Sequence, residues 1–184
     1  MPRAARKISK TGIYHTMLQG INQQLIFIED EDYKKFLEII ADCKETDDFK
    51  LHAYCLMGNH AHLLIQVMYG RPDKIFMRIS AGYVRWFNRK YGRAGRLFAD
   101  RFKSEPVETT EYFLTVVRFI HQNPVKAQLA SSMDVYKWSS YNEYIKKRGI
   151  TDRSLALKIM MRDRFIEFNN EANSDTCLEI APLH

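Results

Sequence analysis

The chain has 184 residues, 46% hydrophobic and 27% charged, enough for one domain with a substantial core and too ordinary for a disordered or collagenous class. No run of about eighteen apolar residues marks a membrane span, and the basic N-terminus is not followed by the apolar stretch of a secretory signal, so a soluble, cytoplasmic protein is expected. A formal charge of +6 and a pI near 9.2 favour a polyanionic partner, and three widely spaced cysteines suggest neither a disulfide framework nor a zinc cluster.

In chain order, Gly12-Ile13-Tyr14-His15-Thr16-Met17-Leu18-Gln19 alternates as a first strand. From Asp30 to Cys43, Tyr33, Phe36, Leu37, Ile40 and Ala41 recur at helical spacing, and the acids from Glu29 to Asp32 suit a helix N-terminus. Leu51 to Met57 and His60 to Val67 read as two strands joined by a Gly58-Asn59 turn. A second long helix is predicted from about Pro72 to Lys90, ended by Gly92 and Gly95, then a short strand around Arg101 to Val107. Thr109 or Thr110 caps a third helix that should stop at Gln122, before Asn123-Pro124, with Asn123 readable as its C-terminal cap. Beyond it, an apolar-periodic stretch from Leu155 to Phe168 reads as peripheral helices. The order lacks the regular alternation of a parallel sheet. An α+β fold is expected, with a mainly antiparallel sheet, helices on one face and a C-terminal helical appendage, divided as 1–145 and 146–184.

His60-Ala61-His62 carries the most chemistry. Residues two apart in a strand share a face, so both imidazoles can converge on one metal ion, although a hydrogen-bonded structural role accounts for the pair equally well. Basic residues crowd the tail at Arg3 and Arg6, and a second stretch containing Arg85, Arg89, Arg101 and Lys103 that is interleaved with Tyr83, Trp86, Phe87, Tyr91, Phe98 and Phe102. That mixture suits phosphate contacts with base stacking, or simply an amphipathic helix with its arginines in water.

Several segments together resemble the REP-associated tyrosine transposases, a branch of the single-tyrosine HUH transposases. They are Pro2-Arg3, Gly12-Ile13-Tyr14-His15, Met57-Gly58-Asn59-His60-Ala61-His62-Leu63-Leu64, Gly95-Arg96-Leu97-Phe98-Ala99-Asp100-Arg101-Phe102-Lys103-Ser104, Arg118-Phe119-Ile120-His121-Gln122-Asn123-Pro124-Val125-Lys126-Ala127 and Trp138-Ser139-Ser140-Tyr141. The resemblance spans roughly residues 1 to 145. It implies a ferredoxin/RRM-like palm that cleaves and rejoins single-stranded hairpin DNA through a 5′-phosphotyrosine intermediate. It also implies a divalent metal, Mn²⁺ or Mg²⁺, held by His60, His62 and an amide four residues after the nucleophile, here Asn123. Relatives act as monomers or as homodimers, and both stay open.

The family's usual Arg-Tyr-Ile-His reads Arg118-Phe119-Ile120-His121 here, so the nucleophile position holds a ring without a hydroxyl. An engineered Tyr→Phe change, natural loss of activity and a displaced nucleophile each account for this. Tyr112, the nearby candidate for the last, lies about 10.5 Å away along the helix axis. The expectation is therefore a transposase-type endonuclease and strand transferase defective in cleavage, or a domesticated hairpin-binding relative, with Arg3, Arg6, Arg85, Arg89, Arg101 and Lys103 on the DNA. A third reading, RNA binding by stacking on a similar sheet, leaves the histidine pair without a purpose.

Overall fold

The computed structural model describes residues 7–68, 72–99 and 102–178, so Arg3, Arg6 and Arg101 lie outside the described residues. Four strands, β1 (Ile13–Gln19), β2 (Phe49–Met57), β3 (His60–Val67) and β4 (Lys103–Pro106), form one antiparallel sheet in the order β2-β3-β1-β4. The helices are α1 (Asp30–Asp47), α2 (Asp73–Lys90), α3 (Thr110–Lys126), α4 (Tyr141–Lys146), α5 (Ser154–Ile159) and α6 (Arg162–Asn170). The expected α+β class with an antiparallel sheet holds. Among the described residues, no helix is long and apolar enough to cross a membrane.

The expected covering of a single face does not hold, because helices occupy both. In β3, Ala61, Leu63, Ile65 and Val67 join Phe36 and Ile40 of α1 and Phe76, Ile79, Tyr83 and Phe87 of α2 in one apolar cluster. Leu64, on the other face, joins Phe113, Val116, Val117, Phe119 and Ile120 of α3 in a second. In β2 the register shifts between Leu51 and Ala53. The extra residue, His52, makes the bulge, and the alternation inverts across it. Leu51 before it and Tyr54 and Leu56 after it face the first cluster, while Ala53, Cys55 and Met57 face the second. Both faces are buried, so the strands read as continuous apolar runs, and period-2 patterning could not reveal the second helical layer.

The Gly58-Asn59 turn contains no left-handed residue. Its glycine serves a close approach instead: the Gly58 carbonyl accepts from the N–H groups of Ile26 and Phe27 at 2.8 and 3.0 Å, and a Cβ there would meet Leu25 at 3.1 Å. On the outer edge of β2, Leu56 N–H donates to the Trp138 carbonyl and Ser140 N–H to that of Tyr54, both at 2.9 Å. This segment covers an edge that would otherwise expose unpaired backbone groups.

Thr109 caps α3, its hydroxyl accepting from Tyr112 N–H at 3.1 Å. The helix does not stop at Gln122; it runs through Pro124 to Lys126, and the Asn123 carbonyl accepts from Ala127 N–H at 2.9 Å. Asn123 is thus a residue of the last turn and not the cap. Proline's fixed φ is itself helical, so its presence removes one hydrogen bond and crowds one carbonyl, and Pro124 is buried where packing opposes that cost. The C-terminal helices, expected as a peripheral appendage, contribute Ala156 of α5 and Phe165 of α6 to the second core.

Candidate functional site

The α3 face of the sheet carries the histidines. Met17 lies directly across from His62, and His15 across from Leu64, so His15 and His62 are diagonal neighbours on one face. Their rings sit 5.2 Å apart, and His15 Nε2 lies 3.0 Å from His62 Nδ1. On the other side of β1, Glu105 is directly across from His15, and its Oε1 lies 2.9 Å from His15 Nδ1. The Tyr112 hydroxyl, from the first turn of α3, donates to the same oxygen at 2.8 Å. His60 is held separately, its Nδ1 lying 2.7 Å from Asn59 Oδ1.

Five histidines are described, all of them buried. His15 uses both ring nitrogens, as just given. His52 pairs with the Asp152 carbonyl and Gln66 Oε1 at 3.1 and 3.2 Å, and His121 with Asn169 Oδ1 and Ser140 Oγ, each at 2.9 Å. Among the described residues, His60 and His62 alone keep an Nε2 with no protein partner. Neither atom is among the buried unpaired polar atoms of the described residues, so each ring is packed in while its Nε2 stays open to solvent or a ligand, two residues apart on one strand face.

Burial pushes the His60 imidazole down to about 4. Burial again, then the neighbouring His15 and His60, push His62 well below the ordinary histidine value. Burial also lowers His15, against the opposing pull of Glu105. The Glu105 carboxyl is raised by burial, but the hydrogen bonds from His15 and Tyr112 prevail and hold it below its usual range. Near pH 7 the site therefore contains neutral imidazoles and an ionised carboxylate, the state in which imidazole nitrogen serves as a metal ligand.

Phe119 is 2% exposed, and its ring meets His15 and His62 edge-on at 5.8 and 5.6 Å. Phe113, near the helix start, packs against His52 at 5.2 Å, so α3 runs antiparallel to β3 toward the hairpin turn. Four helical residues advance about 6 Å and two strand residues about 6.6 Å. One turn beyond Phe119 thus reaches the level of His60, two residues before His62. That turn carries Asn123, which is half-buried and whose side chain makes no hydrogen bond among the described residues. Gln19, directly across from His60, brings a second amide to this level. Among the described residues, no group of three or more His, Cys, Asp or Glu side chains could hold a metal ion, so any such site is completed by amide or solvent oxygens. Two neutral imidazoles with amide oxygen beside them fit a divalent ion kept open to a substrate oxygen.

The proposed basic contacts divide. Lys103, exposed on β4 across from Met17, belongs to the histidine face. Arg85 and Arg89 are exposed on α2, over the opposite face, and are not brought to the histidines. Sequence reasoning missed Lys126, whose Nζ lies 6.0 Å from the Phe119 ring; its spacing of seven residues from Phe119 was the available signal. It also missed Glu105, for which the signal was an ionisable residue in the short strand expected around Arg101 to Val107. Tyr112 is held at the far end of the network, and burial together with Glu105 raises its phenol, which disfavours a nucleophilic phenolate. Arg118 is engaged by Asp175 at 2.7 Å.

A family model described as "Transposase IS200 like" matches residues 9–123. A solved structure of a REP-associated tyrosine transposase bound to a REP hairpin shares the fold, with a TM-score of 0.66 at 19% identity over 83% of this chain and 90% of that one. A Deinococcus radiodurans R1 protein described as a transposase gives a TM-score of 0.45 at 16% identity, over 68% of this chain and 97% of that one. No curated protein matches the sequence.

Proposed function

The chain belongs to the IS200-like transposases, and from that premise we propose that it binds single-stranded DNA folded as a hairpin, at a site built for a divalent metal ion but lacking the nucleophile. The observation that carries the reading is the pair of partnerless Nε2 atoms on His60 and His62, in a protein whose other described histidines use both nitrogens. The hairpin in the structurally similar REP-associated transposase makes a hairpin the first DNA to offer.

In this proposal His60 and His62 hold Mn²⁺ or Mg²⁺ and Asn123 adds an amide oxygen, all from one chain, so a monomer suffices. The ion, when bound, supplies positive charge against a scissile phosphate. The remaining work belongs to the protein. Lys103 and Lys126 attract the DNA backbone beside the histidines, with Arg3, Arg6 and Arg101 joining them on sequence grounds. Arg85 and Arg89 would reach only DNA that wraps past the sheet edge. Phe119 packs against His62 and keeps bulk water from its ring, yet offers no oxygen to attack phosphorus. The chain accordingly recognises its DNA without forming a covalent link to it.

The test is a denaturing-gel adduct assay with labelled hairpin DNA and Mn²⁺. Phe119→Tyr should give a covalent adduct and the unaltered chain none. An adduct from neither protein, with tight binding by both, would leave a binding module and sink the latent transposase site. Binding of the hairpin no tighter than of a scrambled single strand would sink the proposed partner.

A further inference from the structure

From the contacts around His62, we infer that Glu105 and His15 are positioning residues that set the tautomer of His62, directing its lone pair through Nε2 to the metal. This deepens the proposed metal site and rests on it. The argument is one of donors and acceptors. Glu105 faces two groups through a single oxygen, Oε1, at 2.8 Å from the Tyr112 hydroxyl and 2.9 Å from His15 Nδ1. A carboxylate is an acceptor only, so both neighbours donate to it and the proton of His15 sits on Nδ1. A neutral imidazole with its proton there has a lone pair on Nε2, and that atom lies 3.0 Å from His62 Nδ1. His62 Nδ1 must therefore donate, which leaves Nε2 unprotonated.

The opposite sense is disfavoured on two grounds. Were His15 to donate through Nε2 while neutral, its Nδ1 lone pair would face the carboxylate across 2.9 Å. Were His15 a cation, it would place a charge in a ring with no exposed surface. The strand register explains why the chain of contacts exists at all: Glu105 is directly across from His15 in β4, and His62 is its diagonal neighbour in β3. The arrangement has a local counterpart at His60, where Asn59 Oδ1 lies 2.7 Å from Nδ1 and fixes that ring independently. Metal-binding histidines held from behind through the second nitrogen lose about 10- to 100-fold in metal affinity when that partner is removed.

The experiment uses the full chain labelled with ¹⁵N at histidine. In the metal-free protein, long-range ¹H–¹⁵N spectra should report His62 protonated at Nδ1. In His15→Phe, which keeps a ring but removes the acceptor, the proton should move to Nε2 while His60 keeps its own tautomer, and Mn²⁺ affinity by calorimetry should fall about 10- to 100-fold. His15→Gln, whose amide oxygen can accept from Nδ1–H, should recover part of that loss, which a packing role for His15 does not predict. A wild-type His62 protonated at Nε2 overturns the inference whatever the variants do. A His62→Ala variant separates the levels. If it binds Mn²⁺ as well as wild type, the metal reading beneath fails; if it loses Mn²⁺ while His15→Phe does not, only the relay fails.

Discussion

The two faces of the sheet arise from the same alternating strands and end in different chemistry. Over one, Phe36 of α1 and Tyr83 of α2 meet at 5.0 Å and Phe27 packs between them and Tyr33. The Tyr83 hydroxyl donates to the Ile26 carbonyl, the Tyr54 hydroxyl donates to Glu143 and the Tyr14 hydroxyl accepts from Ser9 N–H, and otherwise the cluster is mostly hydrocarbon. Over the other, α3 closes on imidazoles whose every Nδ1 has a partner and two of whose Nε2 atoms have none. Apolar rings satisfy a buried face by filling it, whereas imidazoles bring two nitrogens each that must be answered. The first face is therefore built for stability, and the second presents two ring nitrogens, free of protein partners and not closed off from the surface, where a ligand can bind.

The largest expected effect tests the stability side of that contrast. Phe36, fully buried between Phe27 and Tyr83, should cost about 3–5 kcal/mol of unfolding free energy when changed to Ala, measured by urea titration. Mn²⁺ affinity of the folded protein should stay within about twofold, on the expectation that distant sites act independently. A matching collapse of metal affinity would mean that the two faces are not separable.

Much of this was legible in the chain. Helical spacing through Phe36 and Ile40, the hairpin around Gly58-Asn59 and the Thr109 cap depend on neighbours within a few residues, and each lies close to where the periodicity points. The second helical layer was not, because a strand buried on both faces has no polar side to count. The bulge at His52 reverses the alternation within β2, which no local pattern announces. The His15, Glu105 and Tyr112 contacts join residues ninety apart or separated by a helix start, so they follow from register alone. His60 and His62 were legible as a pair, but what distinguishes them from His52 and His121 is the absence of a second partner.

A smaller effect comes from pH. His121 spends both nitrogens on Asn169 and Ser140, and burial pushes it down to about 4, against about 6.5 for an unfolded chain. Between those values the unfolded state binds more protons, so stability rises with pH across the window. The contribution is complete above about pH 6.5 and is lost as pH falls toward 4, on the order of 3 kcal/mol in all. His121→Gln should flatten this part of the stability profile while sparing Mn²⁺ binding at pH 7.5. An unchanged acid slope would mean that His121 already protonates in the folded protein.

The smallest effect asks which face the DNA uses. Lys103 stands on the histidine side of β4, and Arg85 and Arg89 stand on α2 behind the sheet. Each phosphate contact on a single strand contributes about 0.7 to the slope of log affinity against log salt, and on a duplex stem about 0.9. Lys103→Gln should therefore lower the slope for hairpin DNA by about 0.7–0.9 and weaken binding a few-fold at low salt. The paired change Arg85→Gln with Arg89→Gln should leave the slope where it was. The reverse result would put the DNA behind the sheet, where α2 is basic but carries none of the histidines. The histidine face would then keep two nitrogens without a protein partner and no substrate, and would need a different ligand from the one proposed.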